Sequence, residues 1–216
     1  MKVALIGPTG FVGSAVLQEL LARGHEVIAL ARNPAKLPTQ ERLSVAQADV
    51  LDAAQVAAAV RGSDAVVSAY NPGWGNPDLY NEFLTGTQAT FAGVKAAGLK
   101  RLLVVGGAGS LYVAPGVQLV DTAQFPAEWK NGALAAREAL NLIRQESSLD
   151  WTFLSPAVFL EPGERRGSYR LGEDSPVMDT DPNKGPAHIS VADLAVAIVD
   201  ELETPRHIQR RFTVGY

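Results

Sequence analysis

The sequence predicts an α/β protein built on a doubly wound parallel sheet with helices on both faces. Short apolar runs, as expected for strands buried on both faces, alternate along the chain with segments of helical periodicity. The chain opens with one such strand, and a glycine-rich turn and a helix follow it directly. Strand and helix alternation of this kind implies right-handed crossovers within one sheet.

The first strand, turn and helix lie in a stretch that reads KVALIGPTGFVGSAVL from Lys2 to Leu17. Gly7 permits a tight turn, Gly10 lets the backbone approach a pyrophosphate, and Gly13 lets the helix pack closely on the strand. Free N–H groups at the start of a helix attract an anion. The stretch therefore predicts a dinucleotide site formed by Gly7, Thr9, Gly10, Phe11, Val12 and Gly13. A purely structural turn and a methyltransferase loop are the alternatives.

The second predicted strand, His25–Ala31, ends in Arg32 rather than in an acid. At this strand end an acid binds the ribose 2′-hydroxyl of NAD, whereas an arginine accommodates the 2′-phosphate of NADP. Arg32 therefore favours NADP(H), with NAD(H) also possible. A solvated charge at a strand end is the alternative interpretation of Arg32.

The third predicted strand, Leu43–Ala48, is followed by two residues that we expect beside the adenine, Asp49 and Val50. Asp52 is predicted to be the N-cap of a helix over Ala53–Val60.

Strands four and five are predicted over Ala65–Ala69 and Leu102–Val105. In a parallel sheet their carboxyl ends face the cofactor crevice. We expect the nicotinamide half to be bordered there by Ala69, Tyr70, Gly106 and Gly107. Glycines let a flat ring lie close to the backbone, and a tight strand exit is the alternative reason for them.

The remaining predicted elements are a helix over Asp78–Ala97, a helix over Phe125–Gln145, a strand over Trp151–Leu154, a helix over Val191–Glu203 capped by Ser190, and a strand over Gln209–Val214. Residues 157–187 lose all periodicity and are too few for a core of their own. We interpret them as a cap on a single domain spanning 1–216, with Ser168–Leu171 and Pro176–Met178 paired as a hairpin.

Composition narrows the class of protein. The 216 residues have a net charge of −4, so the sequence lacks the excess of positive charge that indicates binding to nucleic acid or an anionic membrane. There is no cysteine, and the three histidines are scattered, so we expect no metal site. The first strand begins at Lys2 and leaves no room for a signal peptide. We expect a cytoplasmic protein, either a monomer or a homodimer.

Five motifs spread along the chain carry a family resemblance: GPTGFVG, ARNP, ADVLD, GGAG and HISVADLA. Together they resemble the atypical short-chain dehydrogenase/reductase superfamily, and within it the small NmrA-like NAD(P)H-binding proteins provisionally named NADH-flavin reductases. The resemblance covers residues 1–216. It implies a Rossmann fold with strand order 3-2-1-4-5-6 and a nicotinamide near the ends of strands four and five.

Typical members of that superfamily reduce carbonyls with a Tyr followed four residues later by a Lys, on the helix after strand five, and with a Ser at the end of that strand. The resemblance aligns Trp129 with the tyrosine and Ala133 with the lysine. Gly107 and Ala108 stand at the serine position, and Ser110, slightly later, is the remaining catalytic candidate. Because an indole cannot act as a general acid, the usual proton donor is absent.

Two functions are compatible with that absence. One is hydride transfer to a flavin or quinone-like acceptor, whose reduced form takes its proton from solvent, so that catalysis is mostly proximity. The other is an NAD(P)-sensing regulatory protein without turnover. A sugar-nucleotide epimerase or dehydratase relative is a third alternative. We expect a small-molecule acceptor to bind among Trp74, Tyr112, Trp129, Pro156 and Phe159, although core packing is the alternative for aromatic residues.

Overall fold

The computed structural model describes residues 1–216 and contains twelve strands and five α-helices. The strands are β1 (Lys2–Ile6), β2 (Glu26–Ala31), β3 (Leu43–Gln47), β4 (Ala65–Ser68), β5 (Arg101–Val105), β6 (Tyr112–Ala114), β7 (Val117–Gln118), β8 (Asp150–Ser155), β9 (Phe159–Glu161), β10 (Arg170–Gly172), β11 (His188–Ser190) and β12 (Arg210–Gly215). The helices are α1 (Phe11–Ala22), α2 (Ala53–Val60), α3 (Leu79–Ala96), α4 (Ala127–Arg144) and α5 (Val191–Glu203).

Eight strands form the central sheet in the order β10-β12-β8-β5-β4-β1-β2-β3. All neighbours are parallel except β10, which runs antiparallel to β12. The order confirms the doubly wound sheet and the strand order implied by the resemblance, with β12 and β10 added beyond β8. The strand order reverses between β1 and β4, which is where open α/β sheets leave a crevice at the carboxyl ends of their strands.

The first strand is buried on both faces, as its continuous apolar run predicts. Ala4 and Ile6 belong to one core, which packs under α2, α3 and α4. Val3 and Leu5 belong to a second core, which packs under α1 and α5. Successive side chains of a strand point to opposite faces, so β1 contacts both layers of helices. It also fixes the start of α1 beside the carboxyl ends of the strands.

Helices α2 and α5 begin and end at the predicted residues, and a strong local cap fixes the start of each. The Asp52 carboxylate accepts hydrogen bonds from the backbone N–H groups of Ala54, at 2.8 Å, and Gln55, at 3.2 Å. The Ser190 hydroxyl accepts one from the N–H of Asp193 at 3.1 Å. The other helices deviate from their predicted bounds only at the ends. No helix combines the length and the apolar character needed to cross a lipid bilayer.

The predicted hairpin between Ser168–Leu171 and Pro176–Met178 is wrong. The first segment instead supplies β10, in which Leu171 is paired with Val214 of β12. The free backbone edge of β12 is a ready partner for an extended segment, and sequence periodicity does not reveal such a distant partner. Met178 forms an isolated bridge with Pro186, and Asp179 donates its N–H to the Gly185 carbonyl at 2.9 Å.

Two small sheets were not predicted. Strands β6 and β7 form a short antiparallel hairpin after β5, and β9 pairs in parallel with β11. Each of these strands has two or three residues, too few to show a period in the sequence.

The 157–187 segment is fastened to α5 by Asp193, whose side chain is fully buried. Its carboxylate accepts hydrogen bonds from the backbone N–H groups of Arg166, at 3.1 Å, and Gly167, at 2.8 Å, and from the hydroxyls of Ser190 and Tyr216. Burial raises the pKa of Asp193, but these hydrogen bonds outweigh burial and hold the pKa below its usual value. The ionised carboxylate therefore stabilises the folded protein.

We expect the Asp193→Asn variant to lower the free energy of unfolding by about 2 kcal/mol at pH 7, because the charged acceptor of several hydrogen bonds is lost. The native pKa lies below the unfolded one, so this contribution is complete above about pH 5 and disappears as the pH falls through the native pKa. Urea unfolding at several pH values measures it. The Asp52→Asn variant is the control, since asparagine caps a helix about as well as aspartate. A deficit in Asp193→Asn that stays constant down to pH 2 would contradict this account.

Candidate functional site

Two glycines of the turn after β1 are required by backbone packing. Gly7 has φ +79°, and a Cβ there would lie 2.6 Å from the carbonyl oxygen of Ala69. A Cβ at Gly13 would overlap the Gly7 carbonyl group. The turn after β1, the start of α1 and the end of β4 therefore meet backbone to backbone, as the sequence predicts for the first and third glycines of this motif.

Packing within the protein does not require a glycine at position 10. Its φ of −79° suits any residue, and the nearest atom to a Cβ there would be the Gly7 carbonyl oxygen at 3.5 Å. The backbone N–H groups of Thr9, Phe11, Val12 and Gly13 have no acceptor in the protein, and the first turn of α1 has no acidic residue. The four N–H groups and the space beside Gly10 form a cradle that fits an anion such as a pyrophosphate.

Arg32 and Asp49 follow the ends of β2 and β3 on one side of this cradle. The Arg32 side chain is exposed and its guanidinium takes part in no hydrogen bond or ion pair; only its carbonyl is bonded, by Gln47. One Asp49 carboxylate oxygen accepts the N–H of Leu51 at 3.0 Å, and the Asp49 N–H is bonded to Gln55 at 2.9 Å. Val50 is buried. Arg32 thus presents a free cation at the strand end.

Tyr70 follows β4 and packs on α3. Its ring stacks on Phe83 with centroids 6.2 Å apart, and its hydroxyl donates to the Glu82 carbonyl at 3.5 Å. A Cβ at Gly86 would overlap the Tyr70 ring, so the absence of a side chain at Gly86 lets the ring pack against α3. Burial raises the pKa of Tyr70 to about 12, and the charges of Glu82 and Asp49 add to this while that of Arg32 opposes it. The strands β2, β3 and β4 are all parallel to β1 or to one another, so their carboxyl ends lie on the same side of the sheet.

Packing within the protein accounts for the glycines after β5. A Cβ at Gly106 would overlap the Phe153 ring, and one at Gly107 would lie 3.3 Å from the Ala136 Cβ. A Cβ at Gly109 would lie 2.8 Å from that of Ala133 on α4. Close packing of the strand exit on α4 and β8 thus explains these glycines. Their place beside a nicotinamide stays a prediction.

Ser110 lies on a short 3₁₀ turn over residues 108–110 and is 1% exposed. Its hydroxyl and carbonyl oxygens each accept a hydrogen bond from Arg211 Nη1 at 3.2 Å. Arg211 is itself buried and donates through Nε to Asp174 at 2.8 Å. Ser110 therefore has a structural role, since it ties the exit of β5 to β12. A catalytic role for Ser110 stays a prediction and now has this competing explanation.

Sequence reasoning missed this cluster. The one sign of this cluster in the sequence is Arg211, a charged residue directly before the apolar run of the last strand. An arginine next to a buried run indicates a buried partner.

The five residues predicted to line an acceptor pocket all lie after the carboxyl ends of strands or near the start of α4. Trp74 follows β4, Tyr112 lies in β6, and Pro156 and Phe159 follow β8. Trp74 is 61% exposed and Trp129 is 54% exposed, and Phe159 is exposed as well. Pro156 is buried and Tyr112 is half-buried. Three of the five are therefore free to contact a ligand.

Two further tyrosines have hydrogen-bond partners away from the turn. The Tyr169 hydroxyl donates to the Asp200 carboxylate of α5 at 2.5 Å, and the Tyr216 hydroxyl is bonded to Ser190 and Asp193. Burial raises the pKa of Tyr169, and the bond to Asp200 raises it further.

Comparison with known proteins assigns the family. The profile of the NAD(P)H-binding family matches residues 7–205, which include the glycine turn and every strand of the dinucleotide fold except the first and the last. The chain belongs to the NAD(P)H-binding family. This assignment confirms the resemblance drawn from the motifs. The free N–H groups and the space beside Gly10 fit the pyrophosphate that such proteins bind.

Several relatives resemble this NAD(P)H-binding protein over their whole length. YwnB of Bacillus subtilis, a protein of uncharacterized function, is 42% identical over 217 residues, which cover 99% of this chain and 98% of YwnB. A crystal structure from Bacteroides thetaiotaomicron, provisionally named an epimerase, superposes with a TM-score of 0.92 at 46% identity and covers 100% of this chain and 96% of that one. A crystal structure from Streptococcus pneumoniae, provisionally named an NADH-flavin reductase, has a TM-score of 0.84 at 35% identity and covers 100% and 99%.

We expect the Gly10→Ala variant to fold normally and to bind NADPH at least tenfold more weakly, about 1.4 kcal/mol. The added methyl group meets no protein atom closer than 3.5 Å but enters the cradle. Thermal unfolding and isothermal titration calorimetry measure the two effects. The Gly13→Ala variant is the contrasting case, because its methyl group overlaps the Gly7 carbonyl and should lower the melting temperature sharply. Unchanged NADPH affinity in a folded Gly10→Ala protein would rule out the cradle.

Proposed function

We propose that this protein binds NADP(H) at the glycine turn and passes a hydride to a planar acceptor of the flavin or quinone class, without a Tyr/Lys acid pair. The observation that carries the proposal is the pair of residues aligned with that acid pair. They are Trp129, whose indole N–H does not ionise, and Ala133, which is apolar. No ammonium group stands one helical turn beyond the indole to complete such a pair.

Tyr70, which follows β4, supports the same proposal. Tyr70 has a pKa of about 12, set first by burial, and its hydroxyl is bonded to a backbone carbonyl of α3. A phenol of that pKa, held by packing on Phe83 and Gly86, is poorly matched to proton transfer at neutral pH.

An acceptor of the flavin or quinone class suits a site of this kind. When bound, the reduced nicotinamide supplies a hydride, and the acceptor gains one further proton from solvent. The chain's own contribution is to bind both rings close together and to exclude water, which is catalysis by proximity. The similarity to the Streptococcus pneumoniae protein, whose provisional name is NADH-flavin reductase, supports this class of acceptor.

The same proposal assigns each part of the nucleotide to residues around the glycine turn and the neighbouring strand ends. The N–H groups of Thr9, Phe11, Val12 and Gly13 would hold the pyrophosphate beside Gly7 and Gly10, and Arg32 would hold the 2′-phosphate. Asp49 and Val50 would flank the adenine. The nicotinamide half would lie against Ala69, Tyr70, Gly106 and Gly107. We place the protein in the cytoplasm, as a monomer or homodimer.

A second candidate is an epimerase, because the Bacteroides thetaiotaomicron relative has that provisional name at 46% identity. Epimerisation through a nicotinamide requires a group that removes and returns a proton, and the positions aligned with such a group hold Trp129 and Ala133. An NAD(P)-sensing protein without turnover is the third. It shares every binding residue with the reductase and differs only in lacking acceptor-dependent oxidation of NADPH.

We expect the Arg32→Glu variant to bind NADPH at least tenfold more weakly while its affinity for NADH changes less than threefold. The guanidinium is free to pair with a 2′-phosphate, and a carboxylate there repels it. Calorimetric titrations with both nucleotides measure the effect. The Arg61→Glu variant makes the same charge change at the exposed end of α2 and is the matched control. Equal losses for both nucleotides would rule out the role of Arg32.

We expect the purified protein to oxidise NADPH with FMN or menadione and to leave simple ketones and aldehydes unreduced. A steady-state screen of NADPH and NADH against these acceptors, followed at 340 nm, measures it. The Gly10→Ala variant is the control for oxidation that does not pass through the site. Robust ketone reduction would contradict the proposal, and tight NADPH binding with no oxidation by any acceptor would favour the sensing function.

A further inference from the structure

Helix α4 has a glycine in its interior, where glycine does not stabilise the helix. Gly132 is the sixth residue of α4 and is buried, and glycine destabilises a helix interior relative to alanine. A Cβ at this position would lie 2.5 Å from Cζ3 and 3.0 Å from Cη2 of Trp74. The missing side chain therefore makes room for the edge of one indole ring.

Trp74 comes from the loop after β4 and remains 61% exposed although its edge rests on Gly132. Trp129 lies three residues before Gly132 on the same helix, which makes the two positions neighbours on the helix surface. Trp129 is 54% exposed. The two indoles do not stack on each other or on another ring, so both present apolar surface to solvent at the start of α4.

The position of this pair is its second feature. Trp129 and Ala133 are the residues aligned with the usual acid pair, and Gly132, the seat of Trp74, lies between them. Trp74 reaches this place from the exit of β4, the strand beside β1 at which the strand order reverses. An exposed aromatic pair beyond the carboxyl ends of the parallel strands, where sheets of this kind bind their ligands, indicates a ligand surface.

We propose that Trp74 and Trp129 form a two-indole platform on which the ring system of a planar acceptor stacks, with Gly132 as the seat that fixes Trp74. The class of ligand rests on the proposed function. Electron-rich indole faces stack well on flat aromatic rings, and an offset arrangement needs no hydrogen-bond donor. The platform selects acceptors by planarity, which an aliphatic ketone lacks.

The chain supplies an internal reference for the test. It has three tryptophans, and the third, Trp151, is 3% exposed and donates its indole N–H to the Glu146 carbonyl at 3.0 Å. Emission from Trp74 and Trp129 therefore reports on the platform, whereas emission from Trp151 reports on the core.

The experiment measures binding of FMN and of menadione by equilibrium dialysis, with tryptophan emission recorded in parallel. We expect both probes to quench the Trp151→Phe variant, which retains only the two platform indoles. The double variant Trp74→Leu/Trp129→Leu should lose at least tenfold in affinity for both probes. Its affinity for NADPH should change less than twofold, which separates loss of the platform from loss of the fold.

The Gly132→Ala variant tests the seat without removing an indole. Its methyl group displaces Trp74 while alanine favours the helix, so we expect an unchanged or higher melting temperature and at least fivefold weaker probe binding. Probe affinities equal to wild type in both the double variant and Gly132→Ala would overturn the platform, and so would failure of either probe to bind the wild-type protein. Probe binding that depends on the indoles in a protein that does not bind NADPH would uphold the platform and overturn the proposed function.

Discussion

The close approach of three backbone segments sets the geometry of the whole site. The Gly7 carbonyl lies against Gly13 at the start of α1, and Gly7 itself lies against the Ala69 carbonyl at the end of β4, with no space for a side chain at either glycine. This contact holds the first N–H groups of α1 beside the carboxyl ends of the central strands. Everything that would bind a nucleotide is placed relative to those groups, so the packing of two glycines precedes any chemistry.

A second set of contacts fixes the far end of the same helix. Glu19 is buried near the end of α1, and its carboxylate accepts hydrogen bonds from Arg23 at 2.7 Å and from Arg165 of the 157–187 segment at 2.8 and 2.9 Å. Hydrogen bonds from Arg165, followed by those from Arg23, outweigh burial and lower the pKa of Glu19. Arg23 also binds Asp200 of α5 at 2.7 Å. The helix that carries the anion cradle is thus tied to α5 and to the segment beyond β8.

The elements that were predicted well are those with local causes. Asp52 and Ser190 cap their own helices, and the buried run of β1 needs no distant partner to be recognised as a strand. The pairing of β10 with β12 joins residues far apart in sequence, and no local pattern marks it. Gly106 shows the limit within the site, because a glycine that makes room for Phe153 looks the same in the sequence as one that makes room for a ligand. Gly10 differs from it only through the empty space that the structure shows.

The loop between Met178 and Pro186 has a practical consequence. It is closed at its base by one bridge and by the Asp179–Gly185 hydrogen bond, and residues 182–184 at its tip are exposed and polar or proline. Exposed loop tips of this kind tolerate inserted sequence, because the ends stay together whatever lies between them. The tip of this loop is therefore a suitable place to introduce an epitope or a single cysteine for dye attachment, which is convenient in a chain that has no cysteine of its own.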